Sequence, residues 1–168
     1  MRNTPPLNPR PADPGRNALL AGLMVVGAGF LGSVATTPNI PTWYAGLEKP
    51  AFTPPNWVFA PVWTVLYAMM GLAAWRILAL VQTGRDRRNA ILAFSIQLAL
   101  NTVWSFAFFA LQSPAAGLIV ILLLLLAIAA TVRAFMNVDP LSGWLLVPYA
   151  AWVCYATALN ASIWWLNA

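Results

Sequence analysis

The 168-residue sequence contains no histidine, a single cysteine and only four acidic residues. Each shortage excludes something. Without histidine the chain lacks the commonest general base and the commonest metal ligand. Cys154 alone closes no disulfide within the chain, and it leaves no thiol–base pair for nucleophilic catalysis. Charged residues make up 8% of the chain and apolar ones 61%, whereas a soluble domain carries about 25% and about 45–50%. There are too few charges to cover a water-facing surface, so the bilayer is the expected solvent. The nine cations, eight of them arginine, leave a net charge of +5, yet they lie at segment ends and form no single patch. That spread argues against nucleic-acid binding. No Asp, Glu, Lys or Arg stands near the middle of an apolar segment, so a membrane proton relay has no residues to run on. No metal and no cofactor is expected, haem included, since only Cys154, Met or Tyr remain as axial ligands.

What the chain does have is long apolar runs. Five segments, Ala18–Ala35, Trp57–Val81, Ala90–Leu111, Ala115–Phe135 and Trp144–Leu166, approach the ~20 residues a helix needs to cross about 30 Å of hydrocarbon. They are continuously apolar, where barrel strands would alternate, so the expected fold class is all-α, an integral membrane bundle of five transmembrane helices. Proline and Gly-Arg-Asp breaks separate them: Pro38 and Pro41, Gly84-Arg85-Asp86, Ser113-Pro114 and Asp139-Pro140. Pro61 and Pro148 fall early in their helices, where a missing N–H costs least. Residues 1–17, rich in Pro and Arg, read as a disordered tail before a domain over 18–168. The first run is too long for a signal-peptide core and lacks a clear cleavage site. With five spans, Arg2, Arg10, Arg16, Arg76, Arg85, Arg87, Arg88 and Arg133 share one side and only Lys49 the other. The N-terminus is therefore expected in the cytoplasm, with the first loop and C-terminus outside, periplasmic in a bacterium.

The loop 37–56 carries Pro38, Pro41, Pro50, Pro54 and Pro55 among Trp43, Tyr44 and Phe52. Proline lowers the entropy lost on ordering, so the loop reads as a shaped lid over a cavity; an interfacial aromatic belt would not need five prolines. Glu48 and Lys49, adjacent in sequence, are expected to pair with lid backbone or headgroups. Of the nine tryptophans, Trp43, Trp57, Trp144, Trp164 and Trp165 sit near span ends as belt residues do. Trp63, Trp104 and Trp152 lie deeper. Helical spacing puts Trp63 on one face with Tyr67 and Met70. It groups Gln97, Asn101, Trp104 and Phe108 on a second face, and Trp152, Tyr155, Ala156 and Leu159 on a third. Such stripes suit two arrangements: the lining of one aromatic cavity for a flat apolar ligand, oriented by Asn101 and Gln97, or a packed bundle whose amides bond between helices.

The residues also carry a likeness. Trp43-Tyr44-x-x-Leu47-x-Lys49-Pro50-x-Phe52-x-Pro54-Pro55, then Trp57 and Pro61-x-Trp63-x-x-x-Tyr67, resemble the translocator protein family, also called tryptophan-rich sensory protein (TspO/MBR) or peripheral benzodiazepine receptor. Gln97-x-x-x-Asn101-x-x-Trp104 is similar to its third helix, and Val147-Pro148-Tyr149-x-x-Trp152-x-x-Tyr155-Ala156-Thr157-x-Leu159-Asn160 to its fifth. The resemblance implies a five-helix bundle, commonly a homodimer, whose first loop closes a pocket for porphyrins and benzodiazepine-site drugs. Tyr44, Trp63, Asn101, Trp104, Trp152 and Ala156 would line it. It also links Trp63 and Trp152 to light- and oxygen-dependent breakdown of protoporphyrin IX. The sterol pattern of eukaryotic members is incomplete here, because no cation follows Tyr155 before Ala168. Ala28-x-x-x-Gly32 and Gly29-x-x-x-Ser33 permit close helix approach, either within the bundle or across a dimer, and the resemblance favours the third helix as the dimer seam.

Three functions follow from this reading. The first is a membrane receptor or carrier for porphyrins and similar planar ligands, in tetrapyrrole sensing or transport. The alternative is a porphyrin-degrading enzyme using Trp63 and Trp152. The third is a structural subunit whose tryptophans only anchor it. The expected ligand-binding residues are Tyr44, Trp63, Tyr67, Gln97, Asn101, Trp104, Phe108, Trp152, Tyr155 and Ala156.

Overall fold

The computed structural model describes residues 13–80 and 84–168. Residues 1–12 of the expected tail, and Val81 at the expected end of the second span, lie outside the described residues. Every long element is a helix, and five stretches are long and apolar enough to cross a membrane. The first, α1 (Pro14–Thr36), starts four residues before the apolar run begins. Asp13 caps it, accepting from the N–H groups of Gly15 (3.0 Å) and Arg16 (3.2 Å), and Pro14 occupies a position that needs no donor. Asn17, expected in the tail, is instead buried, donating to the Leu78 carbonyl at 2.9 Å.

The second span is α2 (Asn56–Leu80), and the third is α3 (Arg85–Ser105), which begins at the polar Arg85–Asn89 stretch ahead of the apolar run. A wider turn, Phe106–Ala110, continues α3, closed by the Leu111 N–H on the Phe106 carbonyl at 2.8 Å. In a regular helix successive residues rotate by about 100°. Here Ala107, Phe108 and Phe109 are all buried, because the π-type turn, with its i→i+5 bond, rotates less per residue. Ser113 caps α4 (Pro114–Val138) through the Ala116 N–H.

The expected fifth span is split. A short α5 (Pro140–Trp144) precedes α6 (Val147–Leu166). Pro148 explains the break: its ring has no N–H and clashes with the carbonyl four residues back, that of Trp144, where α5 stops. Asp139 caps α5 through the Ser142 N–H (3.1 Å) and hydroxyl (2.6 Å), and also receives Arg76 of α2 at 2.8 and 3.2 Å. The Arg76 guanidinium and the Ser142 donors hold the Asp139 carboxyl down, from 3.8 to about 2.

Around the bundle α1 packs on α2 and α3, α3 on α4, α4 on α6, and α5 on α2. Along the α2–α6 seam the two helices meet through rings, Trp63 with Tyr149 at 6.3 Å and Phe59 with Trp152 at 6.0 Å. The half near Arg76 is solid. Met70, Ala73, Ala74, Ile77, Phe94 and Phe135 are completely buried there, and Phe94 stacks on Phe135 at 5.6 Å. Alanines at the α2 contact let the backbones approach. Outward faces such as Leu19, Leu23, Val26 and Phe30 of α1 are apolar and exposed, as lipid contact requires. The half near the first loop is hollow.

Candidate functional site

The hollow is a cavity of about 290 Å³ between α1, α2, α3 and α6, roofed by the first loop. Each wall has a local origin. From α2 come Phe59, Trp63 and Tyr67, one turn apart on the inward face. From α3 come Asn101 and Trp104, and the wide turn adds Phe108 and Phe109. Trp152, Ala156, Leu159 and Asn160 come from α6. Three indoles from three helices thus face one space. Trp63 leans on Tyr67 at 5.5 Å, Trp104 stacks on Phe108 at 5.6 Å, and Trp152 meets Phe59 edge-on.

The floor is polar and hydrogen-bonded within itself. The Tyr67 hydroxyl donates to Asn101 Oδ1 at 2.9 Å, and Asn101 Nδ2 donates to the Tyr149 hydroxyl at 3.1 Å. Trp104 is fixed from its far side, its Nε1–H bonding Asn160 Oδ1 at 3.1 Å while Asn160 Nδ2 reaches the Pro114 carbonyl at 2.7 Å. The lining contains no Asp, Glu, Lys or Arg.

The lid is tied down at several points. Tyr44 is buried (5% exposed) in a ring cluster with Phe108 and Phe109, and burial, with Tyr155 adding to it, pushes its hydroxyl pKa up. Trp43, expected in a belt, turns inward instead and packs edge-on against Phe108 and Phe109. Lys49 donates to the Leu47 and Ala45 carbonyls and sits 4.7 Å over the Tyr44 ring. Asn167, at the end of α6, clasps Glu48 both ways, accepting from its N–H at 3.0 Å and donating to its carbonyl at 2.9 Å. The Tyr155 hydroxyl donates to the Phe52 carbonyl at 2.7 Å. On the opposite rim Gln112, held at φ 51° in the left-handed region, reaches Asn39 at 3.3 Å.

With this geometry in view, comparison with known proteins is decisive: residues 20–166 match the TspO/MBR family. The chain belongs to that family. It is 43% identical over 150 residues to the tryptophan-rich protein TspO of Archaeoglobus fulgidus, covering 87% of this chain and 94% of that one. It is 42% identical over 125 residues to the tryptophan-rich sensory protein of Cereibacter sphaeroides (74% and 77% covered). The human translocator protein is 40% identical over 125 residues, with 73% of each chain covered. This TspO/MBR chain is thus an integral, multi-pass membrane protein.

Of the ten residues singled out from sequence, Tyr44, Trp63, Tyr67, Asn101, Trp104, Phe108, Trp152 and Ala156 lie on the cavity. Two do not. Gln97 is buried one turn below Asn101, its Nε2 against Met70 Sδ at 3.9 Å and its Oε1 without a partner; the bundle has already closed at that depth. Tyr155 stands outside the cavity and holds the lid. The wall contributed by α1 was missed: Gly29, Gly32, Ser33 and Thr36 face the cavity. Their i, i+3, i+4, i+7 spacing is a helical face, a signal present in the sequence but assigned to helix approach. The close approach is real and lies inside the chain. A Cβ on Gly29 would sit 3.3 Å from the Tyr67 ring, and one on Gly32 would sit 3.2 Å from Ser105 Oγ.

Proposed function

We propose that this TspO/MBR protein is a membrane receptor or carrier that binds porphyrins and similar planar, largely apolar ligands in the cavity beneath the first loop. The convergence of Trp63, Trp104 and Trp152 from three helices on one uncharged hollow supports the reading. Its volume stands at the small end of the ~300–1,000 Å³ usual for ligand pockets. Indole and phenol faces offer stacking to a flat ring, each ring pair being worth about 0.5–1.5 kcal/mol. The sensory and translocator names of the relatives agree with such a role. The same proposal sets the lid and C-terminus outside the cytoplasm. Arg16, Arg76, Arg85, Arg87, Arg88 and Arg133 sit toward the ends of helices away from the lid, and Lys49 alone sits beside it. A homodimer completes the proposal, with cross-linking in membranes as its check.

Titration of the purified protein with protoporphyrin IX tests the binding. Saturable tryptophan quenching is expected, with Trp152→Leu weakening it about two- to tenfold, the equivalent of one ring pair. Absence of saturable quenching overturns the reading. Light- and oxygen-dependent degradation of the bound porphyrin is the second reading, favoured by one observation: Trp63 and Trp152 each have a tyrosine ring 5.5 Å away, Tyr67 and Tyr155, able to return an electron to an oxidised indole. Equal bleaching under illumination by the parent and by a Trp63→Phe, Trp152→Phe double variant excludes it.

A further inference from the structure

Helix α3 turns one whole face away from the bundle. Arg85, Arg88, Leu92, Ile96, Ala99 and Val103 are all exposed, and spacings of three and four residues keep them on one side of a helix. The buried Phe94, Leu98, Asn101 and Ser105 occupy the other side. The exposed stripe is divided along its length. Two guanidiniums stand at its start, and from Leu92 to Val103 it is apolar for about 16 Å of helix rise. That is the depth of one leaflet, half of the hydrocarbon thickness of about 30 Å. Neither Arg85 nor Arg88 has a hydrogen bond or ion pair among the described residues, whereas Arg87 is engaged elsewhere and Arg76 is held by Asp139. Asp86, the one acid of the Arg85–Asn89 stretch, is rotated about 100° from Arg85 and off the line of the stripe. Charge decides what can cover this face. A second copy packed on it about a two-fold axis along the membrane normal sets these arginines against their own counterparts, a like-charge contact that interfaces avoid. Hydrocarbon alone leaves both guanidiniums without a partner. A phosphate joined to acyl chains satisfies both halves of the stripe, because the planar guanidinium fork matches phosphate oxygens.

We propose that the outer face of α3 is a docking site for an anionic phospholipid of the leaflet opposite the lid, its headgroup phosphate gripped by Arg85 and Arg88 and its chains lying along Leu92, Ile96 and Val103. The lipid then braces the helix whose inner face carries Asn101 and Trp104 to the cavity.

The test titrates the full chain in neutral detergent with phosphatidylglycerol and with phosphatidylcholine of the same chains, and native mass spectrometry counts the lipids bound. The parent is expected to prefer phosphatidylglycerol. The double variant Arg85→Gln, Arg88→Gln is expected to cut that preference about five- to twenty-five-fold, each basic residue beside an anionic lipid surface contributing about fivefold. A charge-matched double variant, Arg16→Gln, Arg133→Gln, is expected to lose less than half of it. No preference in the parent, or equal losses in the two variants, overturns the proposal. Displacement of the lipid by an equal concentration of glycerol phosphate overturns it too, because the chains then contribute nothing. A second measurement stands apart from the arginines: Ile96→Cys in a Cys154→Ser background, oxidised in membranes, is expected to form no disulfide between chains. Ready cross-linking there means that a second copy covers the face, and it overturns the lipid site.

Discussion

Asn167 offers the sharpest perturbation. Asn167→Ala removes the two bonds that join the end of α6 to Glu48 of the lid, 119 residues away in sequence. On an exposed surface each such bond contributes about 0.5–1 kcal/mol. Their loss moves the closed–open balance of the lid by about 1–2 kcal/mol, or roughly five- to thirtyfold. The Tyr155–Phe52 bond on the same side survives, so the loop stays folded. On the proposed function a ligand enters and leaves only when the lid lifts, so both rates scale with the open fraction while that fraction is small. The bonds lost are the same with and without ligand. The expected signature is therefore kinetic: association and release of protoporphyrin IX both accelerate five- to thirtyfold, and Kd moves less than twofold. Asn167→Asp keeps the acceptor for the Glu48 N–H and loses the donor, so its rates fall between the two. Stopped-flow quenching measures association, and a chase with excess unlabelled competitor protein measures release. Acceleration of release alone, or unchanged rates, refutes the latch.

Three further outcomes are expected. Gln97→Met removes a buried carbonyl oxygen with no partner and sets a thioether beside Met70. Relief of about 1 kcal/mol of unmet hydrogen bonding raises Tm by about 2–4 °C in detergent, and a lower Tm contradicts the account. Gly117→Ala places a methyl 2.8 Å from Asn160 Oδ1 and 2.9 Å from Phe108. Overpacking of about 1–3 kcal/mol lowers Tm and frees the Trp104 indole from Asn160, seen as a shift in tryptophan emission. The Asp139 carboxyl, lowered from 3.8 to about 2, stabilises the fold fully above the unfolded value and loses that contribution as the pH falls through its folded one. Thermal unfolding is expected to weaken between about pH 4 and 2 in the parent and to be flatter in Asp139→Asn, and identical profiles reject the Arg76–Asp139 contribution.

The five spans were legible because continuous apolar runs of bilayer length have no other stable solution. Helix ends were not, since hydropathy marks the hydrocarbon and not the hydrogen-bond ladder. Asp13 and Pro14 start α1 early, and the polar Arg85–Asn89 stretch is already helical. The break before α6 follows from Pro148, but only once its clash falls on Trp144 is the position clear. The site was legible where large side chains recur at helical spacing, as at Trp63 and Tyr67. Spacing gives the face and not the depth, so Gln97 was grouped with Asn101 although the bundle closes between them. The α1 wall stayed hidden because Gly29 and Gly32 make room by having no side chain. Nothing in the composition of Phe106–Ala110 announces the wide turn that brings Phe108 and Phe109 inward together.

The solid half of the bundle has its own consequence. Ala73, Ala74, Ile77, Phe94 and Phe135 are completely buried at the end opposite the lid, so on the proposed function the site works as a cup and not a conduit. On that reading a bound ligand leaves by the lip over which it entered. Directional delivery then depends on which acceptor waits outside that lip, and not on passage through the barrel of the protein.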